Sequence, residues 1–468
     1  MRLSVRATLI VGVLGLFACS DAGPRANHVS ITSPQTLMVG DAIQLTASID
    51  GATNANVQFE VSPASSYLVV QLPDDKYLYG VSAGSAQVNV SLVSADGAGT
   101  VLAQDSMTVT VVAPPATNRP AFSQIEAGEQ HTCALSSDGS IFCWGNYSGY
   151  RAFAPRCEEF PVNGLPRVCH SVPVKLEGFP QFKYINLGTY SSCAITLADD
   201  AFCWDIGPNN SGNNSGTPAT VPGGIKFKTL SVETGSPLNP GSEAEHVCGI
   251  ATDNSVYCWR RGGSPTSPAL VSGGPYTAVA VGGTSSTGSD LYRACALDSN
   301  GAAYCWGSRS LGDGNPPPSA EQTTPVAVAS GLRFIGLASE SYSTCALSTD
   351  GSPYCWGGAR DEALIPAAIP TSVRFTAISA SETRFCAIAT DQSVYCWGHS
   401  QPQPPVVQVP GQYHFRSVTV GGPVSCGLTV EGPEVCWGGK GMGSVGDGVI
   451  DGVTTTTPSP LVGQRAWP

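Results

Sequence analysis

Seven times the chain repeats one arrangement: a cysteine, nine further residues, then Cys-Trp. The pairs are Cys133 with Cys143, Cys193 with Cys203, Cys248 with Cys258, Cys295 with Cys305, Cys345 with Cys355, Cys386 with Cys396 and Cys426 with Cys436. Trp144, Trp204, Trp259, Trp306, Trp356, Trp397 and Trp437 follow the second cysteines. First cysteines recur every 40 to 60 residues, and self-similarity at that period marks a solenoid or a propeller.

The spacing has a geometric reason. In "CALSSDGSIFCWG", the triplet Ser137-Asp138-Gly139 suits a three-residue hairpin loop with glycine in the left-handed position. Counting outward from Asp138 sets Cys133 directly opposite Cys143, close enough for a disulfide. Each unit is then a β-hairpin stapled across its strands, a closure that contributes ~2–3 kcal/mol on the chain-entropy account. Zinc is the competing use of so many cysteines, but structural zinc sites take ligands two to four residues apart rather than ten. No metal site and no cofactor are expected.

Two further strands flank each hairpin. Apolar segments such as "FKYINLG" and "FRSVTVGG" precede it, and Pro-led segments such as "VPVKL" and "TPVAV" follow it. Four strands per repeat make a propeller blade. Inner blade strands pack on both faces, which assigns the seven tryptophans to the core.

The stretch "AGEQHTCALSSDGSIFCWG" resembles the repeat of the regulator of chromosome condensation family, and "LGDG" (311–314) and "VGDG" (445–448) resemble that repeat's Gly-rich turn. The resemblance implies a seven-bladed β-propeller over residues 121–468. Repeats 2, 3, 5 and 6 lack a clear Gly-rich turn, and the cysteine pairs look like an exported bacterial variant. "SPLVGQRAWP" reads as a last fourth strand, so Pro460 to Val462 are expected beside the first repeat, closing the ring.

Residues 28–113 alternate at period two: Ile43, Leu45, Ala47 and Ile49 interleave with polar residues, as do Met107, Val109 and Val111. Short half-buried strands of this kind suggest a β-sandwich. "MVGDAIQLTASI", "GVSAGSAQVNV" and "SMTVTVV" look like bacterial Ig-like domains. Residues 114–120, within "APPATNRP", read as a stiff linker. The fold expected is all-β: a seven-bladed propeller preceded by a small Ig-like sandwich.

Upstream, Arg2 and Arg6 flank the apolar run "ATLIVGVLGLF", too short to span a membrane. The run ends in "LFAC", which resembles a bacterial lipobox. On that resemblance residues 1–18 are a signal peptide, Cys19 carries the lipid and residues 19–27 are a tether. Ser20 after Cys19 favours the outer membrane. Setting Cys19 aside leaves 16 of the 17 cysteines, an even number suited to pairing in an oxidising compartment. A net charge of -12 excludes a nucleic-acid footprint.

Because consecutive strands are antiparallel, the loops after the first and third strands of every blade share one face. The long insertions fall there: "NYSGYRAFAPRCEEFPVNGLPRVCHS", "DIGPNNSGNNSG", "ETGSPLNPGSEAEH" and "GTSSTGSDLYR". Elaboration on one face of a repeat scaffold marks a binding surface. In the first insertion Cys157 and Cys169, the two cysteines outside the repeat, are expected to pair. They would present Tyr147, Tyr150, Arg151, Phe153, Glu158, Glu159 and Phe160. Tyr292 and Arg293 join them from the fourth repeat. Aromatics with arginine are the usual anchors of an interface.

No HExxH, G-x-S-x-G or P-loop occurs, and the six histidines are scattered. The expected function is therefore recognition of a protein or glycan by a non-enzyme, held to the cell envelope through its lipid alone. The alternatives are an enzyme inhibitor, as in a secreted bacterial β-lactamase inhibitory protein of similar fold, or a propeller lyase or glycosidase. Nucleotide exchange on a nuclear GTPase, which the family also hosts, suits an exported acidic chain poorly.

Overall fold

The computed structural model describes residues 28–31, 35–38, 42–50, 55–62, 70–71, 77–80, 84–95, 100–112, 121–129, 131–146, 156–162, 165–176, 178–189, 191–205, 218–233, 245–261, 267–286, 289–358, 363–382, 384–398, 405–440, 443–447 and 454–461. Seven antiparallel sheets follow one another along residues 122–460. Their first strands are Phe122–Ala127, Phe182–Leu187, Phe227–Val232, Tyr276–Ser286, Phe334–Ser339, Phe375–Ser381 and Phe415–Val420. We number these blades 1 to 7. Six are four-stranded in chain order. Blade 1 has a fifth, outer strand, because part of its insertion, Arg156–Val162, pairs with its fourth strand Leu165–Lys175.

The hairpin at the heart of each blade has the expected register, and its cysteines stand directly opposite one another. Cys133 is bonded to Cys143, Cys193 to Cys203, Cys248 to Cys258 and Cys295 to Cys305. Cys345 is bonded to Cys355, Cys386 to Cys396 and Cys426 to Cys436. All seven cystines have Cα atoms 4.0–4.1 Å apart. Their first cysteines are all buried, whereas the third-strand partners vary: Cys203 and Cys305 are buried, Cys258 and Cys396 half-buried.

One tip residue adopts positive φ in every blade. It is Gly139, Gly301, Gly351 and Gly432 in four blades, and Asp199 (69°), Asn254 (71°) and Gln392 (68°) in the other three. The loop geometry persists where the glycine does not.

Alternation along the third strand then sorts the blade. Cysteine and tryptophan are adjacent, so the cystine faces the next blade and the tryptophan faces the previous one. Each seam is a core cluster built this way. Cys133, Leu135, Ile141 and Cys143 of blade 1 meet Phe182, Ile185 and Trp204 of blade 2. Cys345 and Leu347 meet Phe375, Phe385 and Trp397. Burying one tryptophan against such a neighbour is worth roughly 4–6 kcal/mol by area, more than its cystine contributes, so packing rather than stapling dominates the seam.

Hydrogen bonds add direction. At six of the seven seams the carbonyl of the positive-φ tip residue accepts from the backbone N–H of the aromatic that opens the next blade. Phe182 N to Gly139 O (2.9 Å), Phe227 N to Asp199 O (2.9 Å) and Phe415 N to Gln392 O (2.8 Å) are examples.

The ring closes by the same packing. Cys426, Leu428, Cys436, Val445 and Leu461 of blade 7 cluster with Phe122, Ile125, Phe142 and Trp144 of blade 1. Leu461 thus lies beside the first repeat as expected; Val462 is outside the described residues. The last strand, Thr454–Pro460, pairs with Glu434–Gly439 of its own blade, so no sheet is shared across the closure.

The Gly-rich turns serve neighbouring tryptophans. Trp144 Nε1 donates to Ser444 O at 2.9 Å. A Cβ built on Gly446 would lie 2.6 Å from that nitrogen, and one on Gly312 would lie 2.8 Å from Trp356 Cδ1.

The N-terminal region forms small sheets. One pairs His28–Ile31 with Ala47–Asp50, one orders Thr36–Met38, Val101–Val112, Gly84–Ser94 and Ala55–Ser62, and one orders Ala42–Gln44, Tyr77–Gly80 and Val70–Gln71. Leu45, Val88, Met107, Val109 and Val111 are buried together, bearing out the alternation at 107–111. Cys19, its flanking signal and the linker at 114–120 lie outside the described residues.

Candidate functional site

On the face that carries the insertions, two of them are built as strand extensions. In blade 4, Tyr276–Ser286 pairs with Ser289–Asp298 out to Ser286 and Ser289. In blade 1, Arg156–Val162 folds back on Leu165–Lys175. Tyr147, Tyr150, Arg151 and Phe153 lie outside the described residues, as do the insertions 206–217 and 234–244. Glu158, Glu159 and Phe160 sit on the outer strand of blade 1, but their side chains, and those of Cys157 and Cys169, are likewise outside the description.

Tyr292 and Arg293 are not surface anchors. They are 7 % and 1 % exposed. Both lie in a strand, where alternation turns Arg293 to the same side as Cys295, toward blade 5, and Tyr292 to the opposite side, toward blade 3. Arg293 Nε donates to Thr344 Oγ1 (2.8 Å) and Nη1 to Ser310 O (2.9 Å). Tyr292 stacks on His246 with ring centroids 3.7 Å apart and donates to Glu321 Oε1 at 2.6 Å.

These two residues belong to a polar belt just below that face. Two positions before each first cysteine stand His131, Ser191, His246, Arg293, Ser343, Arg384 and Val424. Sharing the cystine's side, each is aimed at the next blade. His131 Nε2 lies 3.0 Å from Ser192 Oγ, and Ser191 Oγ donates to Glu245. Arg384 Nη2 donates to Ser425 Oγ at 3.0 Å. The sequence held this signal at a fixed offset from a known landmark.

A second set comes from the corners after the first strands: Glu129, Glu233, Glu340 and Glu382. Glu233 Oε2 accepts from His246 N and lies 2.8 Å from His246 Nδ1. A Cβ on Gly422 would stand 2.7 Å from Glu129 Cγ and 3.0 Å from Glu382 Oε2. The two carboxyls, from blades 1 and 6, therefore meet over the bare corner of blade 7. Burial, then Glu382 and Glu245, push Glu129 up to about 8. Burial pushes Glu340 up to about 7, against hydrogen bonds and the Arg293 charge that pull it down. Burial depresses His131 to about 3, which keeps it neutral.

The belt's side chains are hydrogen-bonded across the seams between blades. The Ser192–His131 pair resembles a nucleophile and its base, yet both residues are 0 % exposed. Among the described residues, no group of three or more His, Cys, Asp or Glu side chains is placed to hold a metal ion. Between blades 5 and 6, where the belt residue is the short Ser343 and only residues 359–362 stand between Gly358 and the fourth strand, a cavity of about 220 Å³ remains. Ser343, Trp356, Gly358, Ala367 and Phe385 help to line it.

Residues 122–150 match the Regulator of chromosome condensation (RCC1) repeat. Over 89 residues the chain is 30% identical to the guanine nucleotide exchange factor SRM1 of Saccharomyces cerevisiae, a match spanning 18% of this chain and 18% of that protein's length. Similar solved structures include Prp20p from Saccharomyces cerevisiae (15% identity, TM-score 0.48, 79% of this chain and 90% of that one). The ectodomain of the Physcomitrella patens receptor kinase CR4 is another (17% identity, TM-score 0.44, 68% and 75%). With seven blades and a matching repeat in the first, the fold is an RCC1-repeat β-propeller.

Proposed function

We propose that this is a non-catalytic recognition protein of the bacterial cell envelope, which binds a protein or glycan partner with the insertion-bearing face of its propeller. On this reading Cys19 carries the lipid that holds the chain to the membrane, and the N-terminal sheets are an Ig-like spacer. Seven cystines within the blades suggest an oxidising, extracytoplasmic compartment.

The observation that carries the reading is where the elaboration falls. Blades 1 and 4 lengthen their strands on the same face, above the belt of buried polar groups. The opposite face keeps hairpin tips of one length in all seven blades. Loops free of a binding role drift on both faces of a ring; here only one has grown.

The test is a capture from the organism's envelope and culture medium with residues 20–468, beside a version whose four insertions are cut to hairpin length. The reading expects a partner held by the first and lost by the second. Equal capture by both, or by neither, overturns it. Mass spectrometry of the native N-terminus tests the lipid separately.

A further inference from the structure

The seam between blades 7 and 1 differs from the others in what crosses it. At six seams the opening aromatic N–H bonds a main-chain carbonyl of the preceding hairpin tip. Here Phe122 N donates to a side chain, Glu434 Oε1 (3.2 Å). Glu126 Oε2 accepts from Thr419 Oγ1 of blade 7 at 3.0 Å, and Thr419 Oγ1 in turn accepts from Ala127 N at 3.1 Å. Arg416 Nη2 reaches Phe122 O at 3.3 Å. Glu129 passes over Gly422 to meet Glu382. Two carboxyl groups, Glu434 and Glu126, thus take part in the polar crossings beside the bonds to Thr419, Ser444 and Phe122 O, and Glu129 adds a carboxyl contact past blade 7, at the joint where the two ends of the ring meet without sharing a sheet.

We propose that this joint is a pH-operated closure, tight while Glu126 and Glu129 carry protons and loosened when they ionise. Two carboxylates in contact repel unless a proton lies between them, and a buried carboxylate is penalised by desolvation. The groups facing Glu126 are the Gln124 amide, the Thr419 hydroxyl and Tyr184 of blade 2. Those facing Glu129 are Glu382, Glu245 and the Thr189 hydroxyl, with Arg384 beyond Glu382. Burial pushes Glu126 to about 7, and burial with its acidic neighbours pushes Glu129 to about 8.

The sign follows from linkage. Both groups hold their protons more tightly in the closed joint than in an open one, where they titrate near the ordinary 4.5. The closing preference is therefore full below about pH 4.5, falls as pH rises, and is spent above about 8.

Hydrogen exchange of the full-length protein at pH 5.5 and 8.5, corrected for intrinsic rates, tests this without any partner. The amides at 122–127 and 415–421 should lose protection at least tenfold, about one unit's worth of proton linkage. Those of the seams at Phe227 and Phe375 should change less than threefold. In the double variant Glu126→Gln, Glu129→Gln the first figure should drop to that of the controls. A uniform loss at all seams, or a tenfold loss that survives in the double variant, overturns the proposal. The wild-type comparison between seams stands even where the variant folds poorly.

Discussion

The backbone N–H of Phe122 finds its acceptor in a side chain, Glu434 Oε1, which is buried at 3 % exposure, while the six equivalent N–H groups find main-chain carbonyls. A main-chain acceptor survives any substitution at its residue, and a carboxylate does not. Glu434→Ala should therefore leave a buried donor unpaired and cost about 1–3 kcal/mol. Glu434→Gln keeps an accepting oxygen and should cost less than half as much. Urea unfolding of the two variants decides the matter, and equal losses would show that the bond is not what Glu434 supplies.

The hairpin tips offer an internal control. Gln392 sits at φ 68° where four sister blades have glycine. A side chain in that conformation costs roughly 1–2 kcal/mol, offset in part by glycine's larger freedom in the unfolded chain. Gln392→Gly should stabilise the protein by about 0.5–1 kcal/mol. The reverse change at Gly351 should destabilise it by about 2 kcal/mol, since a Cβ there would lie 2.8 Å from Phe375 O at φ +82°. Thermal or urea melts that move both variants in one direction would contradict the shared geometry.

What could be read in the sequence was whatever a strand's alternation ties to a landmark. Ten residues around a tight turn force the cysteines opposite one another, and the Cys-Trp adjacency sends the two side chains to different blades. The same counting, carried two residues back from Cys295, would have buried Arg293. It was missed because "GTSSTGSDLYR" has the composition of a loop, although its last residues already belong to a strand. The corner glutamates were hidden for another reason. Glu129 and Glu382 lie 253 positions apart in sequence and meet only because the ring brings blade 6 near blade 1 past a blade whose corner is Gly421-Gly422. No local pattern carries that information.

The Gly-rich turn of blade 4 should tolerate no side chain. Gly312 has φ +78°, and a Cβ there would meet Trp356 Cδ1 at 2.8 Å and Nε1 at 2.9 Å. Gly312→Ala is expected to cost about 1–3 kcal/mol and to perturb indole fluorescence. Gly331→Ala, where nothing lies within 4 Å but φ is +64°, bears the backbone strain without the clash. The excess of the first loss over the second measures the contact. If the two variants lose the same amount, the turn is not packed on Trp356.

Glu340 gives the pH dependence of a seam away from the closure. It is 0 % exposed, and burial pushes its carboxyl up to about 7 while Arg293 and the Tyr342 N–H, 3.0 Å from Oε2, draw it down. Because the native state holds the proton more tightly than the unfolded chain, its contribution is full below about pH 4.5. It declines as pH rises to about 7 and is gone above that. Glu340→Gln cannot ionise, so its stability should fall less between pH 5 and 8 than the wild type's, by roughly 1–3 kcal/mol. The measurement is a set of urea midpoints across that range. Parallel curves for the two proteins would mean that Arg293 keeps Glu340 ionised throughout, making the pair a buried salt bridge rather than a proton store.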